Sequence, residues 1–217
     1  MSRRKIGWNG ILAFVACVPL ATQACFAQQA SELKADDPKA IRTQSVRSIL
    51  RWQDLDGRER PLLPEKDARA ICIIFVSTDC PISNSYQPEL RRLHQQYEPE
   101  GIAFVMLHAT AGIEPERIRE HIKNYEIEIP VGIDSHQAIA KTLQAATIPE
   151  AFVLSADGET VWYRGRIDNL YEALGKKRSR PTSHELRDAL NAIVTGQKVP
   201  IAVTDPVGCR LRIEPRP

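Results

Sequence analysis

The sequence contains little cysteine, and no two of its cysteines are close together. Its 217 residues include five cysteines, and the nearest neighbours, Cys17 with Cys25 and Cys72 with Cys80, are eight positions apart. So few cysteines exclude a small fold that is held together mainly by disulfides. The five histidines are scattered, and none lies at a metal-ligand spacing from a cysteine. We therefore expect neither a metal nor another cofactor.

An excess of charge is also lacking. The chain has 29 basic and 27 acidic residues, which gives a formal net charge of +2. Three of the basic residues, Arg3, Arg4 and Lys5, stand near the start, and no acidic residue precedes Ala27. The slight positive charge of the whole chain therefore comes from its first residues, and it gives no indication of a nucleic-acid partner.

No hydrophobic run is long enough to span a membrane. The apolar run at 11–21 follows the basic cluster, and small residues then lead to Ala27. This pattern is typical of a secretory signal peptide. We predict that residues 1–27 are removed on export to the periplasm or the medium, with lipidation at Cys25 as a less favoured alternative. The predicted mature chain then keeps three cysteines, Cys72, Cys80 and Cys209, and at least one of them is unpaired or pairs transiently.

The stretch around Cys80 organises the rest of the sequence. Residues 71–76 are apolar and rich in isoleucine and valine, which predicts a buried strand that includes Cys72. A short polar turn leads to Cys80, and Pro81 fits the first position of a helix, where its missing N–H costs nothing. Unpaired N–H groups at a helix start favour a thiolate over a thiol. Asp79 opposes this effect unless it points to solvent.

The remaining pattern alternates strands and helices. Strands are predicted at 46–52, 58–63, 70–76, 102–108, 129–133, 151–154 and 160–164. A helix is predicted after Cys80, with a kink at Pro88. A second begins at Glu114, with Ile118, Ile122 and Tyr125 on its inner face, and a third covers 135–143. The last helix begins at a capping box formed by Thr182 and Glu185.

This order predicts an α/β fold in which helices flank a central mixed β-sheet. We place the domain at residues 46–196, after a flexible lead at 28–45. A tail at 197–217 carries Cys209 and is able to fold back over the domain. Residues 165–181 are predicted to be an irregular basic loop, and His94 and His121 are predicted to lie on helix surfaces.

Three features resemble the thioredoxin superfamily: the Cys80-x-x-Ser83 spacing, Pro88 eight residues after Cys80, and Ile148-Pro149 before a hairpin strand. Three stretches are similar to a narrower group, the exported redoxin-domain proteins related to alkyl hydroperoxide reductase and thiol-specific antioxidant (AhpC/TSA) proteins. They are Thr78-Asp79-Cys80-Pro81, Tyr163-Arg164-Gly165-Arg166-Ile167-Asp168-Asn169 and Gly208-Cys209. The resemblance implies a thioredoxin-like fold and thiol redox chemistry over nearly the whole predicted mature chain.

The resemblance also implies a site around Cys80. Pro149 is expected to follow a cis peptide bond and to face the reactive cysteine. Ser83 stands where a thioredoxin has its second cysteine, and a serine cannot resolve a mixed disulfide. Cys80 then acts alone, or is resolved by Cys209 or by an external thiol. A static disulfide of Cys209, and a bond from Cys209 to another molecule, stay open as well.

The leading hypothesis is an exported thiol-disulfide oxidoreductase that uses Cys80 as the attacking thiolate. Its partners are protein thiols or disulfides and an external thiol reductant. The expected substrate-binding residues are Ser77, Thr78, Pro149 and Arg166.

Two alternatives remain. A peroxiredoxin-like peroxidase would act on a hydroperoxide. Ser77 occupies the hydroxyl position of the peroxiredoxin motif and Arg166 is the candidate for its arginine, but Ile73 stands in place of its proline. A non-catalytic binding module of the same fold is the second alternative, because Ser83 removes the neighbouring thiol.

Overall fold

A computed structural model describes residues 51–63 and 68–214. The predicted signal peptide, the lead and most of the predicted strand at 46–52 lie outside these residues. The first described segment is an antiparallel hairpin of β1 (Arg51–Gln53) and β2 (Glu59–Pro61). Its turn is closed by Asp54, whose carboxylate accepts hydrogen bonds from the backbone N–H groups of Asp56 and Arg58. The predicted return strand is therefore present.

The centre of the fold is a pair of parallel strands. All residues of β3 (Ala70–Val76) are buried, and β3 runs beside β4 (Ile102–His108) with Ala70 opposite Ile102 and Val76 opposite His108. Both strands have the predicted bounds. Near-continuous apolar strands of this kind are covered on both faces, and full burial of one such side chain contributes about 1.5–3 kcal/mol.

Five helices and seven further strands complete the described part of the chain. The helices are α1 (Pro81–Ser85), α2 (Gln87–Tyr97), α3 (Pro115–Tyr125), α4 (Ala138–Leu143) and α5 (Glu185–Val194). The strands are β5 (Val131–Ile133), β6 (Thr147–Ile148), β7 (Glu150–Ser155), β8 (Val161–Gly165), β9 (Tyr171–Ala173), β10 (Lys176–Lys177) and β11 (Cys209–Arg210).

Seven of the strands form one mixed sheet in the order β2-β1-β5-β4-β3-β7-β8. Strands β3, β4 and β5 are parallel to one another, whereas β7 runs antiparallel to β3, and β8 runs antiparallel to β7. The predicted α/β architecture with a central mixed sheet is confirmed.

The helix predicted after Cys80 is broken in two. Helix α1 has five residues, and α2 begins after Tyr86 with Pro88 in its first turn. A proline has no N–H to donate to the carbonyl four residues earlier, and its ring clashes with that carbonyl. The predicted kink is therefore present, but the interruption falls at Tyr86, two residues before the proline.

The predicted surface positions of two histidines are wrong. His94 is 8% exposed and His121 is 4% exposed, whereas Tyr125, predicted to face inward, is 38% exposed. His121 lies three residues after the fully buried Ile118 and therefore on the same face of α3. The His94 ring packs edge-on against Phe104, with ring centres 5.3 Å apart.

Residues 165–181 are more regular than predicted. Strands β9 and β10 form a short antiparallel hairpin. Its basic residues find local partners: the Lys177 ammonium lies 5.5 Å from the centre of the Tyr171 ring, and Arg178 forms an ion pair with Glu172. This hairpin is hard to predict from the sequence, because its strands have no buried face and therefore show no alternation of apolar and polar residues.

The predicted capping box at Thr182 and Glu185 is also wrong. The helix begins two residues later, with His184 as the residue before it and Glu185 as its first residue. The Thr182 hydroxyl accepts a hydrogen bond from the Asn169 side chain, and the Glu185 carboxylate is bound by Arg166. Tertiary partners thus take both groups that the local motif would use.

The tail folds back over the domain, as anticipated. Val203 bridges to Arg164 of β8, and the Thr204 side chain accepts a hydrogen bond from the backbone N–H of Arg166. Farther along, β11 pairs antiparallel with β6 in a second small sheet. Across 51–63 and 68–214, none of the helices has the length and apolar character needed to cross a membrane.

Candidate functional site

Cys80 lies at the junction between the central strand β3 and helix α1. Its backbone is extended, Pro81 is the first residue of the helix, and its side chain is 2% exposed. The turn that delivers it is local: the Cys80 N–H donates to the Ser77 carbonyl at 3.4 Å, and the Asn84 N–H donates to the Cys80 carbonyl at 3.0 Å. The predicted strand-turn-helix placement of Cys80 is confirmed.

The Cys80 thiol points at the segment before Pro149. Its Sγ donates a hydrogen bond to the Ile148 carbonyl oxygen at 3.2 Å. The Ile148–Pro149 peptide bond is cis, as the resemblance implies. Pro149 and Cys80 therefore stand on opposite sides of one small site, and the main chain of Ile148 supplies a polar group to it.

Cys209 reaches the same place from the tail. In the antiparallel pairing of β11 with β6, Cys209 is the partner of Ile148, whose carbonyl receives the Cys80 thiol. Burial, and then an interaction with the Cys80 side chain, raise the pKa of the Cys209 thiol to about 11. The structure thus brings together two of the cysteines that the sequence singled out, both as free thiols.

The contact between the tail and the cis-proline segment depends on Gly208. A Cβ atom placed on this residue would lie 2.0 Å from the Ile148 carbonyl oxygen and 2.6 Å from its carbonyl carbon. No side chain fits at this distance, so a glycine is required for the two strands to approach. In the sequence, Gly208 stands out only as the neighbour of Cys209. The structure explains why this position is a glycine, since two backbones approach closely there.

A buried carboxylate holds the segment that faces Cys80. Glu150 is 1% exposed. One of its oxygens accepts hydrogen bonds from the N–H groups of Ala146 and Thr147 at 3.0 and 3.3 Å, and the other binds the Arg164 guanidinium at 2.8 Å. Sequence reasoning missed Glu150; its place directly after Pro149 was the available signal.

The acidic neighbour of Cys80 is directed away from it. The Asp79 carboxylate forms an ion pair with Arg117, and the two side chains are 64% and 57% exposed. This arrangement meets the condition set from the sequence, that Asp79 points to solvent. The negative charge at Asp79 is partly balanced and well hydrated, so it opposes a thiolate at Cys80 only weakly.

The hydroxyl groups of Ser77 and Thr78, in the turn before Cys80, differ in their hydrogen bonding. The Ser77 hydroxyl accepts a hydrogen bond from the Asp79 N–H at 3.3 Å, so it stabilises the turn itself. The Thr78 carbonyl accepts from the Asn84 side chain, while its hydroxyl is buried without a hydrogen-bond partner among the described residues. Ser83, at the position of a second cysteine, is fully buried.

Arg166 is engaged elsewhere. Its Nε lies 3.0 Å from a carboxylate oxygen of Glu185, and its terminal nitrogen binds the same oxygen. This pairing raises the pKa of the Arg166 guanidinium and, against the opposing effect of burial, lowers that of the buried Glu185 carboxyl. The structure therefore assigns Arg166 an ion pair at the start of α5, and a role in substrate binding would require this ion pair to open.

A buried pair of histidines lies behind the Cys80 turn. The His121 Nε2 is 2.8 Å from the Asn84 side-chain oxygen, and the rings of His121 and His108 meet edge to face with centres 5.9 Å apart. Burial lowers the pKa of His108 to about 3, and it lowers that of His121 as well. These rings support the turn as neutral groups, and nothing in their spacing along the sequence predicted that they meet.

Cys72 differs from the other two thiols. It is fully buried inside β3, and burial strongly raises the pKa of its thiol. A buried thiol in apolar surroundings is inert. This agrees with its predicted packing role.

Known proteins similar to this chain share its central part. A family model described as thioredoxin-like matches residues 68–160. The thiol-disulfide oxidoreductase ResA of Bacillus cereus (strain ZK / E33L) is 27% identical over 109 residues, which cover 50% of this chain and 61% of that protein. The chain thus matches only about three fifths of the length of this relative.

Two solved structures have the same fold over most of this chain. An uncharacterized conserved protein from Geobacillus kaustophilus has a TM-score of 0.68 and 26% identity over 77% of this chain and 90% of its own. A hypothetical protein from Sinorhizobium meliloti 1021 has a TM-score of 0.65 and 23% identity over 74% of this chain and 88% of its own. The predicted thioredoxin-like fold is thus confirmed.

Proposed function

We propose that this chain, which contains a thioredoxin-like domain of the redoxin type, is a thiol-disulfide oxidoreductase in which Cys80 attacks and Cys209 resolves. The observation that carries the proposal is the meeting of these two thiols beside the cis-proline segment. Similarity to a thiol-disulfide oxidoreductase of Bacillus cereus supports the same class of reaction.

The reaction has two balanced steps. The Cys80 thiolate attacks one sulfur of a partner protein's disulfide, a mixed disulfide forms, and the partner's other sulfur leaves as a thiolate that takes a proton. Cys209, after losing its proton, then attacks the Cys80 sulfur and releases the partner's first thiol. The protein keeps a Cys80–Cys209 disulfide, and an external dithiol reduces this bond to begin a new cycle.

The assignment of roles follows from the surroundings of the two thiols. Only a thiolate attacks a disulfide, and the pKa of Cys209, raised to about 11, keeps this thiol protonated near neutral pH. Cys80 ends a rigid turn and has its Sγ directed at the segment where a partner would lie. Cys209 lies on a short strand of the tail, which suits a thiol that acts second.

The test is reduction of insulin disulfides, with dithiothreitol as the external dithiol. We expect Cys80→Ser to fall to the uncatalysed rate and Cys72→Ala, the matched control for loss of a thiol, to stay within about twofold of wild type. In a single turnover without dithiothreitol, Cys209→Ser should accumulate a mixed disulfide with insulin that wild type does not. Equal activity of wild type and Cys80→Ser would contradict the proposal.

The resolving role of Cys209 has a separate test. Mass-spectrometric mapping of the oxidised protein should find a bond between Cys80 and Cys209, with Cys72 unmodified. A redox titration of this bond then separates a catalytic disulfide, which exchanges with a glutathione buffer, from a static one, which does not. Oxidised protein in which both thiols stay free would refute the resolving role.

The peroxidase alternative has weaker support. It assigns Arg166 to the peroxide, and this side chain is held by Glu185. The Ser77 hydroxyl is used within its own turn. If hydrogen peroxide forms a sulfenic acid at Cys80 no faster than at a free thiol, the peroxidase hypothesis fails.

We also propose that the protein works after export. The support is the basic cluster, the short apolar run and the small residues that end at Ala27. Expression in a bacterial host followed by sequencing of the mature amino terminus should place cleavage after Ala27. A product in the cytoplasmic fraction that keeps residues 1–27 would show that export is wrong.

A further inference from the structure

The tail covers the edge that faces Cys80. Cys209 pairs with Ile148 and Arg210 with Thr147, and the Leu211 N–H continues the ladder by donating to the Ala146 carbonyl at 2.9 Å. Strand β6 is not one of the seven strands of the main sheet, and β11 is its strand partner. Without β11, the backbone groups of 146–148 would form an open edge, which is a ready site for an extended peptide.

The tail holds this place through few contacts. Leu211 is 5% exposed and packs into the core, and the Gln137 side chain binds the Arg212 carbonyl at 2.7 Å and the Glu214 N–H at 2.7 Å. Between the Gln137 contacts and the anchor at Thr204, the chain has β11 against β6, with Val207 and Cys209 partly buried against the core. A small set of backbone bonds, the buried Leu211 and these two partly buried side chains therefore keep residues 205–214 in position.

We propose that residues 205–214 occupy the place of the partner's cysteine-bearing segment, and that the partner binds as an extended strand on β6 after the tail leaves. This proposal rests on the proposed function, because it describes how the partner in the first step reaches Cys80. With Cys80 2% exposed under the docked tail, the two strands exchange: the partner displaces the tail to form the mixed disulfide, and the tail returns with Cys209 to resolve it.

The tail also shows which partner segments fit. In the register of β11, the residue before the cysteine is Gly208, where any Cβ would collide with the Ile148 carbonyl. The residue two positions after the cysteine is Leu211, which is buried. A partner segment in the same register therefore has a glycine before its reactive cysteine and a large apolar residue two positions after it.

The first test measures access to Cys80 in Cys209→Ser protein, by the rate of reaction with a polyethylene-glycol maleimide. Adding Leu211→Asp, which places a charge in the buried position, should speed the reaction by about tenfold or more, because it unfastens the tail. Adding Ile213→Asp is the matched control, since Ile213 is 39% exposed, and it should change the rate by less than about twofold. Protein with both Cys80→Ser and Cys209→Ser keeps only Cys72 among the described cysteines and gives the background rate of alkylation.

Circular dichroism must show that the Leu211→Asp protein keeps its fold. Equal alkylation rates in the folded Leu211→Asp and Ile213→Asp proteins would overturn the gating role of the tail. If that happens while insulin reduction still requires Cys80, the proposed function stands and the strand exchange is wrong. If the Leu211→Asp protein is alkylated faster but insulin reduction does not depend on Cys80, the tail controls access to Cys80 and the proposed oxidoreductase function is wrong.

The second test measures the choice of partner segment. Decapeptides with the sequence of residues 205–214, each carrying glutathione on its cysteine by a disulfide, serve as substrates for Cys209→Ser/Leu211→Asp protein. The Cys80 thiolate attacks the peptide sulfur and releases glutathione. Replacing the peptide's glycine by valine should lower the second-order rate constant of glutathione release by about tenfold or more, because this register no longer fits. Equal rate constants for the two peptides would overturn the proposed selectivity.

Discussion

The two sides of Cys80 are built in different ways. One side, the turn from Ser77 to Asn84, is continuous in sequence and closed by hydrogen bonds between near neighbours. The other side joins residues 145–150 to a tail that arrives more than fifty residues later, and it is held by the buried Glu150 and by Gly208. A local turn tolerates change at its surface, whereas an assembled contact fails when any of its buried parts is removed.

The largest effect is expected on the assembled side, from Glu150→Ala. The change leaves Arg164 without its carboxylate and two N–H groups without an acceptor, and loss of one partner of a buried ion pair costs about 3–5 kcal/mol. Urea unfolding measures the change, with Glu159→Ala at an exposed position as the control. A loss no greater than that of the control would show that the cis-proline segment holds its shape without this carboxylate.

An effect of comparable total size, spread over several pH units, is expected behind the local turn, from the buried His108. Folding lowers the pKa of His108 from 6.5 to about 3. As the pH falls, this histidine therefore takes up its proton in the unfolded chain before it does so in the folded protein. Stability should therefore fall between pH 6.5 and about 3, by at most about 1.4 kcal/mol for each pH unit.

The measurement for this histidine is the free energy of unfolding across that pH range. His108→Phe should flatten the profile, while His136→Gln, a change at an exposed histidine, should leave it unchanged. Parallel profiles for wild type and His108→Phe would mean that folding does not shift the pKa of His108.

Next in size is Gly208→Val, on the assembled side. The new Cβ would collide with the Ile148 carbonyl, so the tail should leave β6. The equilibrium between the Cys80–Cys209 disulfide and a glutathione buffer should shift by about tenfold toward the reduced form, because the effective concentration of Cys209 falls. Arg210→Ala, an exposed position on β11, is the control. An unchanged equilibrium in Gly208→Val would show that the strand pairing does not bring the thiols together.

The smallest effect is expected at the surface of the local turn, from Asp79→Asn. The ion pair of Asp79 with Arg117 is exposed on both sides, and such pairs contribute about 0–1 kcal/mol. Unfolding by urea should therefore change little, and the rate of Cys80 alkylation by iodoacetamide should change by less than about threefold. A larger rise in the alkylation rate would show that this carboxylate restrains the thiolate after all.

The same contrast explains how much of the site could be predicted. Cys80 and its turn follow from an apolar run, three polar residues and a proline, all local signals, and strands β3 and β4 have the predicted bounds. The cis bond before Pro149 came from the resemblance and is present. These features are determined by a few neighbouring residues or by a motif, so they can be predicted from the sequence.

The rest depends on contacts that the sequence does not display. Strands β6 and β11 have two residues each, too few to show a period. The burial of Glu150 and His121 depends on Arg164 and Asn84, which approach them only in the folded chain. The predicted capping box failed for the same reason, because Arg166 competes for Glu185.

The pairing of β11 with β6 also sets an order of events during synthesis. Cys209 is made 129 residues after Cys80, which at a rate of 5–20 residues per second is an interval of roughly 6–26 s. During that interval the residues of the Cys80 turn have already been synthesised, while the strand that covers them has not. Each molecule therefore passes once through an uncovered form, in which Cys80 meets whatever thiol or disulfide is nearby before its own partner arrives.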